Sequence, residues 1–213
     1  MKSKKNDYTA IVEHYESCFE KYGDTPKGMD WPNEEDAVKR YSVMLDLVKE
    51  NNSSVSLLDF GCGTSHLLEF INKKEEKFGN LKYSGADISS KFINLSKSKF
   101  PQVDYYCVDI LKDDLSNIPS FDYAILNGVF TEKHTLSHEQ MWEFFQKMIL
   151  TIFEKVDKGM AFNVMSKAVA WERDDLFHLS TDVLIDFMVK NLSRNFIIRN
   201  DYGLYEYTVY LYK

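Results

Sequence analysis

The chain reads as an α/β protein with a mostly parallel sheet and helices on both faces. Three observations predict it. From Val55 onward short apolar runs alternate with amphipathic stretches, the pattern of strands joined by crossover helices. Successive strand-like runs end in Asp, Asn or Gly, where open α/β sheets bind ligands. The last two strand-like runs, Phe196–Asn200 and Tyr205–Tyr212, are separated only by Asp201-Tyr202-Gly203-Leu204. So short a connection cannot cross over to a parallel neighbour, so the final strand is expected to be antiparallel.

The elements follow in order. Tyr8, Ile11, Val12, Tyr15, Cys18, Phe19 and Tyr22 recur at helical spacing over residues 7–22, an amphipathic helix with His14 off the stripe. The run from Gly23 to Gly28, with Pro26, breaks it. Asn33 caps a second helix over 34–50, with Glu34, Glu35 and Asp36 in its first turn and residues 51–54 ending it. Strands are expected at Val55–Phe60, Tyr83–Ile88, Val103–Ile110, Phe121–Asn127 and Gly159–Met165. Helices are expected at Thr64–Phe78, Ser89–Phe100, Ser137–Val156 and Thr181–Leu192. The whole of 1–213 is read as one domain, with 1–54 a helical extension and 55–213 the sheet core.

Composition narrows the function. Among 213 residues, 33 are acidic and 26 basic, a net charge of -7. That sign disfavours a nucleic-acid partner, which needs clustered Lys and Arg. No run approaches a membrane span. Lys2, Lys4 and Lys5 are followed by no apolar core, so no secretory signal is read. Cys18, Cys62 and Cys107 lack metal-like spacing, and a reduced, cytoplasmic protein is the expectation.

The chemistry concentrates in LLDFGCGTSH, residues 57–66. A buried strand ends in Asp59, and Gly61 and Gly63 turn the chain into a helix whose N–H groups face a ligand. His66 stands where a dinucleotide fingerprint has its third glycine, and no P-loop begins at either glycine. Asp87, in GADIS, ends the second strand and is placed for ribose hydroxyls. Asp109 ends the third, where a carboxylate can accept from an adenine amine with Ile110 against the ring. Asn127-Gly128 closes the fourth.

These segments together resemble the class I S-adenosylmethionine-dependent methyltransferases, from about Val55 to the C-terminus. The resemblance implies a Rossmann-like, seven-stranded sheet of order 3-2-1-4-5-7-6 with the last strand antiparallel. It implies S-adenosylmethionine as cofactor, with S-adenosylhomocysteine as product. It carries cofactor contacts onto Asp59, Gly61 and Gly63, with Cys62 filling the turn between them. Ribose contact falls to Asp87 beside Ile88, and adenine contact to Asp109 and Ile110. Asn127, Gly128 and Val129 border the methyl donor. Ser65 replaces a third glycine common in the family, and is expected to take ordinary helical dihedrals.

The acceptor is expected to be a small polar molecule. Glutamine- and adenine-amino methylating enzymes carry N-P-P-[YF] after the fourth strand, where this chain reads Asn127-Gly128-Val129-Phe130. Catechol-type enzymes hold a divalent metal near strand four, but Asp122 begins that strand, so no metal is expected. His134, His178 and His14 are, in that order, the candidate bases. Arg40 is expected to pair with the cofactor's carboxylate. Tyr15 and Trp31 are expected to cover the site, with Phe130, Trp171 and Phe177 also falling where a pocket would be. The N-terminal helices are read as a lid or as a fixed cap. Residues 14–41, with NGVF, GMAFN and the ending DYGLYEYTVYLYK, further resemble a bacterial group of small-molecule methyltransferases encoded with surface-polysaccharide genes. That suggests a carbohydrate hydroxyl or phosphorylated precursor as acceptor. The alternatives are N-methylation of a small amine and an inactive cofactor-binding partner subunit. A monomer or homodimer is expected.

Overall fold

A computed structural model describes residues 8–31, 33–49 and 54–213. The N-terminal lysines, Pro32 and the helix end at 51–53 lie outside the described residues. Two helices, α1 (Thr9–Tyr22) and α2 (Glu34–Leu45), flank a short 3-10 turn at Pro26–Met29. The alternating unit follows: β1 (Val55–Phe60), α3 (His66–Asn72), α4 (Glu75–Phe78), β2 (Leu81–Asp87), α5 (Ser90–Lys99) and β3 (Asp104–Cys107). The second half holds β4 (Phe121–Phe130), α6 (His138–Glu154), β5 (Val156–Ser166), β6 (His178–Leu179), α7 (Thr181–Asn191), β7 (Phe196–Arg199) and β8 (Glu206–Tyr212).

The sheet runs β3-β2-β1-β4-β5-β8-β7. This is the expected order once β6, a two-residue strand paired in parallel with the end of β5, is set aside. β8 lies antiparallel to both β5 and β7. It is the Rossmann-like methyltransferase fold.

Period-two alternation builds two cores. Leu58, Ala124 and Leu126 face α6 and α7, beside Phe145, Ile149, Leu184 and Met188. Leu57, Tyr123 and Ile125 face the other side, against Tyr41 and Met44 of α2 and Leu67 and Ile71 of α3. α2 therefore belongs to a core, covering the sheet on one face.

Several boundaries differ from the sequence reading. The expected helix over Thr64–Phe78 is two, separated at Lys73 and Lys74. It starts at His66 because Ser65 is left-handed, with φ 66°. This corrects the expectation of helical dihedrals: Ser65 adopts the conformation a glycine takes without strain. Its buried hydroxyl is held by Ser96 and Tyr105, at 2.9 and 2.8 Å. β4 continues past Asn127 to Phe130 through a register shift between Leu126 and Phe130, where Gly128 has φ 80°. A bulge of this kind re-aims side chains beside a site without ending the strand. α2 ends at Leu45, short of the expected 50.

Candidate functional site

The carboxyl ends of β1, β2, β3 and β4 open onto one cavity of about 170 Å³. Its floor is backbone-rich. Gly61 has φ 77°, and a Cβ there would meet a Val129 methyl at 2.6 Å, so only glycine fits the turn. The Asp87 carboxylate braces that turn, accepting from Gly63 N at 2.9 Å and Ser89 N at 2.8 Å. Burial nevertheless pushes Asp87 up to about 6, with those backbone N–H groups opposing. Asp59 is pushed to about 7, first by burial and further by Asp87, against a 2.7 Å hydrogen bond from Tyr83 Oη. Asp109 goes the other way. Burial would raise it, but Tyr8 Oη at 2.6 Å and Lys112 Nζ at 3.0 Å hold it below the usual range.

The roof is helical. Tyr8, Ile11, Val12 and Tyr15, one stripe at α-helical spacing, line the cavity from above. Met29 from the 3-10 turn and Trp31 just after it complete that wall. Glu16 docks α1 on the floor, accepting from Ser89 Oγ at 2.6 Å and pairing with Lys91 at 3.0 Å.

At the end of β4, Asn127 Oδ1 is buried in the cavity wall without a hydrogen-bond partner. A buried acceptor left unpaired costs about 1–3 kcal/mol. Its place in the cavity marks where a donor group of a ligand belongs. Next to it, Gly128 N donates to Asn163 Oδ1 at 2.8 Å. Asn163 Nδ2 donates to Glu206 Oε1 at 2.9 Å, and Arg40 Nε reaches both Glu206 oxygens at 2.9 Å.

Eleven of the twelve expected cofactor residues line this cavity: Asp59, Gly61, Cys62, Gly63, Asp87, Ile88, Asp109, Ile110, Asn127, Gly128 and Val129. Arg40 does not. Its guanidinium is spent on the buried Glu206 and stacks over Trp31, 5.4 Å from the ring centroid. It positions the wall and has no charge left for a ligand carboxylate.

The expected acceptor and base residues divide more sharply. Tyr15 and Trp31 line the cavity. Phe130 and Phe177 are instead fully buried in the α6–α7 core, with Phe130 4.7 Å from the Phe145 ring. Trp171 is 68% exposed on the loop after β5. His178 has both ring nitrogens engaged, Nδ1 with Ser166 O at 2.6 Å and Nε2 accepting from Arg173 N at 3.3 Å. A histidine so held cannot take a proton from an acceptor. His14 and His134 lie together with ring centroids 4.0 Å apart, beside the roof but outside the cavity lining.

Sequence reasoning missed Tyr8, Tyr41 and His66, all of which line the cavity. Tyr8 was legible as the first residue of the α1 stripe. His66, 2.8 Å from Asp24 Oδ1, was visible only as a departure from a glycine pattern.

Residues 58–149 match the family described as "Methyltransferase domain". The matched stretch runs from β1 into α6, so it contains every strand end that floors the cavity. The chain is 23% identical over 163 residues to a putative methyltransferase of Mycobacterium tuberculosis, covering 74% of this chain and 93% of that protein. Its fold matches the S-adenosylmethionine-bound magnesium protoporphyrin IX methyltransferase of Synechocystis, with TM-score 0.67 and 16% identity over the whole of both chains. It also matches the N-methyltransferase NodS of Bradyrhizobium japonicum, with TM-score 0.62 and 14% identity over 98% of this chain and 99% of that one.

Proposed function

We propose that this methyltransferase moves a methyl group from S-adenosylmethionine to a hydroxyl of a small polar acceptor, a carbohydrate by preference. The observation that carries the donor site is the unpartnered Asn127 Oδ1, buried in a cavity whose opposite side presents Asp87 and Asp109. Asn127 accepts from the donor's ammonium, Asp87 from ribose hydroxyls, and Asp109 with Ile110 meets the adenine. The donor supplies an electrophilic methyl on sulfur; the protein's part is to hold an acceptor in line with it. Holding reactants in a near-attack geometry is worth up to about 7–11 kcal/mol.

Charge in the cavity favours a neutral acceptor. Among the described residues that line it, none is Lys or Arg, so a phosphate on the acceptor has no partner there. The aromatic roof of Tyr8, Tyr15 and Trp31 suits the apolar face of a sugar ring. The same aromatic faces, with Asp59 and Asp87 below, also suit an amine. N-methylation of a small amine is therefore the second reading. The charge balance argues against nucleic acid as partner. No helix among the described residues is long and apolar enough to cross a membrane, and we place the protein in the cytoplasm.

Titration calorimetry with S-adenosylmethionine and S-adenosylhomocysteine tests the donor site. Binding of both is expected, and no heat from either with folded protein overturns it. A panel of sugars, nucleotide sugars and amines then separates the readings. Methyl transfer to a hydroxyl supports the first and transfer to an amine the second. Donor binding without any turnover points to an inactive partner subunit.

A further inference from the structure

Metal-ligating side chains gather in two places, one at the cavity's edge and one around His14, where two sets share that residue. One joins Asp24, His66 and Glu69. There Lys99 Nζ already sits 2.7 Å from Asp24 and 2.6 Å from Glu69, so a cation is built in. The other forms where α1 meets the segment after β4. His14, Glu132 and His134 each bring a ligand atom within 4.8 Å of the other two.

Among the described residues no lysine contacts this second cluster, and Arg173, paired with Asp175, acts on Glu132 only through space. Among the described residues the ion-pair partners of Glu132 and Asp30 are histidines. His134 Nε2 is 2.6 Å from Glu132 Oε2, and His14 Nε2 is 3.9 Å from the same oxygen. Yet His134 Nε2 is buried and makes no hydrogen bond, so the close approach lacks hydrogen-bond alignment. A buried imidazole nitrogen aimed at a carboxylate and a second imidazole is what a ligand set looks like without its ion. The backbone holds His134 there. It is left-handed, with φ 47°, and the N–H groups of Lys133 and His134 both donate to Asp175 O, at 2.9 and 3.0 Å.

We propose that His14, Glu132 and His134 bind a divalent cation of the zinc class, which clasps α1 to the sheet over the donor cavity. Two imidazoles and one carboxylate are a ligand set zinc takes with an open fourth position, and nitrogen ligands disfavour magnesium and calcium. Bonds of about 2.0–2.2 Å in a tetrahedron put ligand atoms roughly 3.3 Å apart. The distances here, 2.6 and 3.9 Å, fall on either side of that value. Asp30 and Cys18 also approach His14 Nε2, at 2.8 and 3.5 Å, and an ion bound there replaces the Asp30 hydrogen bond. The proposal departs from the expectation of no metal, which was argued from Asp122 at the start of strand four. This site joins residues more than a hundred positions apart, which no spacing reveals.

The test uses the full chain stripped with a chelator. Zinc is titrated in competition with a chromophoric chelator, and cobalt is followed by its visible absorption. One equivalent per chain and a tetrahedral cobalt spectrum are expected, with slower amide exchange in α1 when zinc is bound. His134→Ala and His14→Ala should each weaken zinc by more than about a hundredfold, beyond the effect of losing an outer partner. Glu132→Gln keeps the side chain's shape and serves if the alanine variants unfold. Cys18→Ser should leave affinity within about twofold of the parent, since sulfur is outside this ligand set. No stoichiometric zinc, binding that survives His134→Ala and Glu132→Gln, or binding lost in Cys18→Ser overturns the proposal. Zinc binding does not depend on the methyl donor, so calorimetry with S-adenosylmethionine fails or succeeds separately.

Discussion

The floor and the roof of the cavity are made by different means. The floor is local: four strand ends, a glycine turn, and an Asp87 that braces the turn through backbone N–H groups. The roof is made of long-range side-chain contacts. Arg40 reaches Glu206 across 166 residues, and Tyr8 reaches Asp109 across 101. A site floored by backbone keeps its geometry under most side-chain changes. A roof held by side chains is where acceptor choice and stability can be altered one residue at a time.

The largest effect expected tests whether roof and core are one unit. Arg40→Ala leaves Glu206, 1% exposed, buried with Asn163 as its remaining side-chain hydrogen-bond partner among the described residues. Removing one member of a buried pair costs about 3–5 kcal/mol. Thermal denaturation should show a large fall, and an unchanged midpoint would mean that the roof is an independent addition.

Asp87→Ala comes next and acts on the floor. Donor affinity should drop by about tenfold to a hundredfold, the loss of one or two charge-assisted hydrogen bonds. The parent's affinity should also depend on pH. Burial pushes Asp87 up to about 6, and only the carboxylate accepts from both ribose hydroxyls. Affinity therefore rises from pH 5 to 7 and levels off above. Asp87→Asn should bind weakly with a flatter profile. Calorimetry across that range checks both, and an unchanged pH dependence in the variant would remove Asp87 from the ribose assignment.

The smaller effects separate the two walls. Trp31→Ala should raise the acceptor KM by about tenfold, roughly 1.4 kcal/mol, while donor affinity changes little. Steady-state kinetics with each substrate varied will show it, and an equal loss on both sides would place Trp31 against the donor. Trp171→Ala should change neither, since the ring is 68% exposed and away from the cavity. Its stability should stay within about 0.5 kcal/mol of the parent.

Much of the floor was readable in advance. Asp59, Gly61 and Gly63 lie within five consecutive residues, and a buried strand leading into a glycine turn has few other outcomes. Asp87, Asp109 and Asn127 were found by the same rule applied to later strands. The failures were side chains whose roles depend on distant partners. Arg40 looked free because Glu206 is far away in sequence. Phe130 and Phe177 looked like pocket residues because loops near strand ends often line pockets, but α6 supplied a core for both. Ser65 looked helical because nothing local shows that Ser96 and Tyr105 hold its hydroxyl in a left-handed turn.

The sequence by itself determined the alternation of strands and helices, the antiparallel last strand and the strand-end residues that floor the cavity. Each of these rests on periodicity and on turns a few residues long, which are local properties of the chain. Only the tertiary structure decided which face α1 presents to the cavity, and that α2 belongs to a core. Only it joined His14 to Glu132 and His134. Those depend on which distant side chains meet in a folded interior, where burial and pairing set the energy of every polar group.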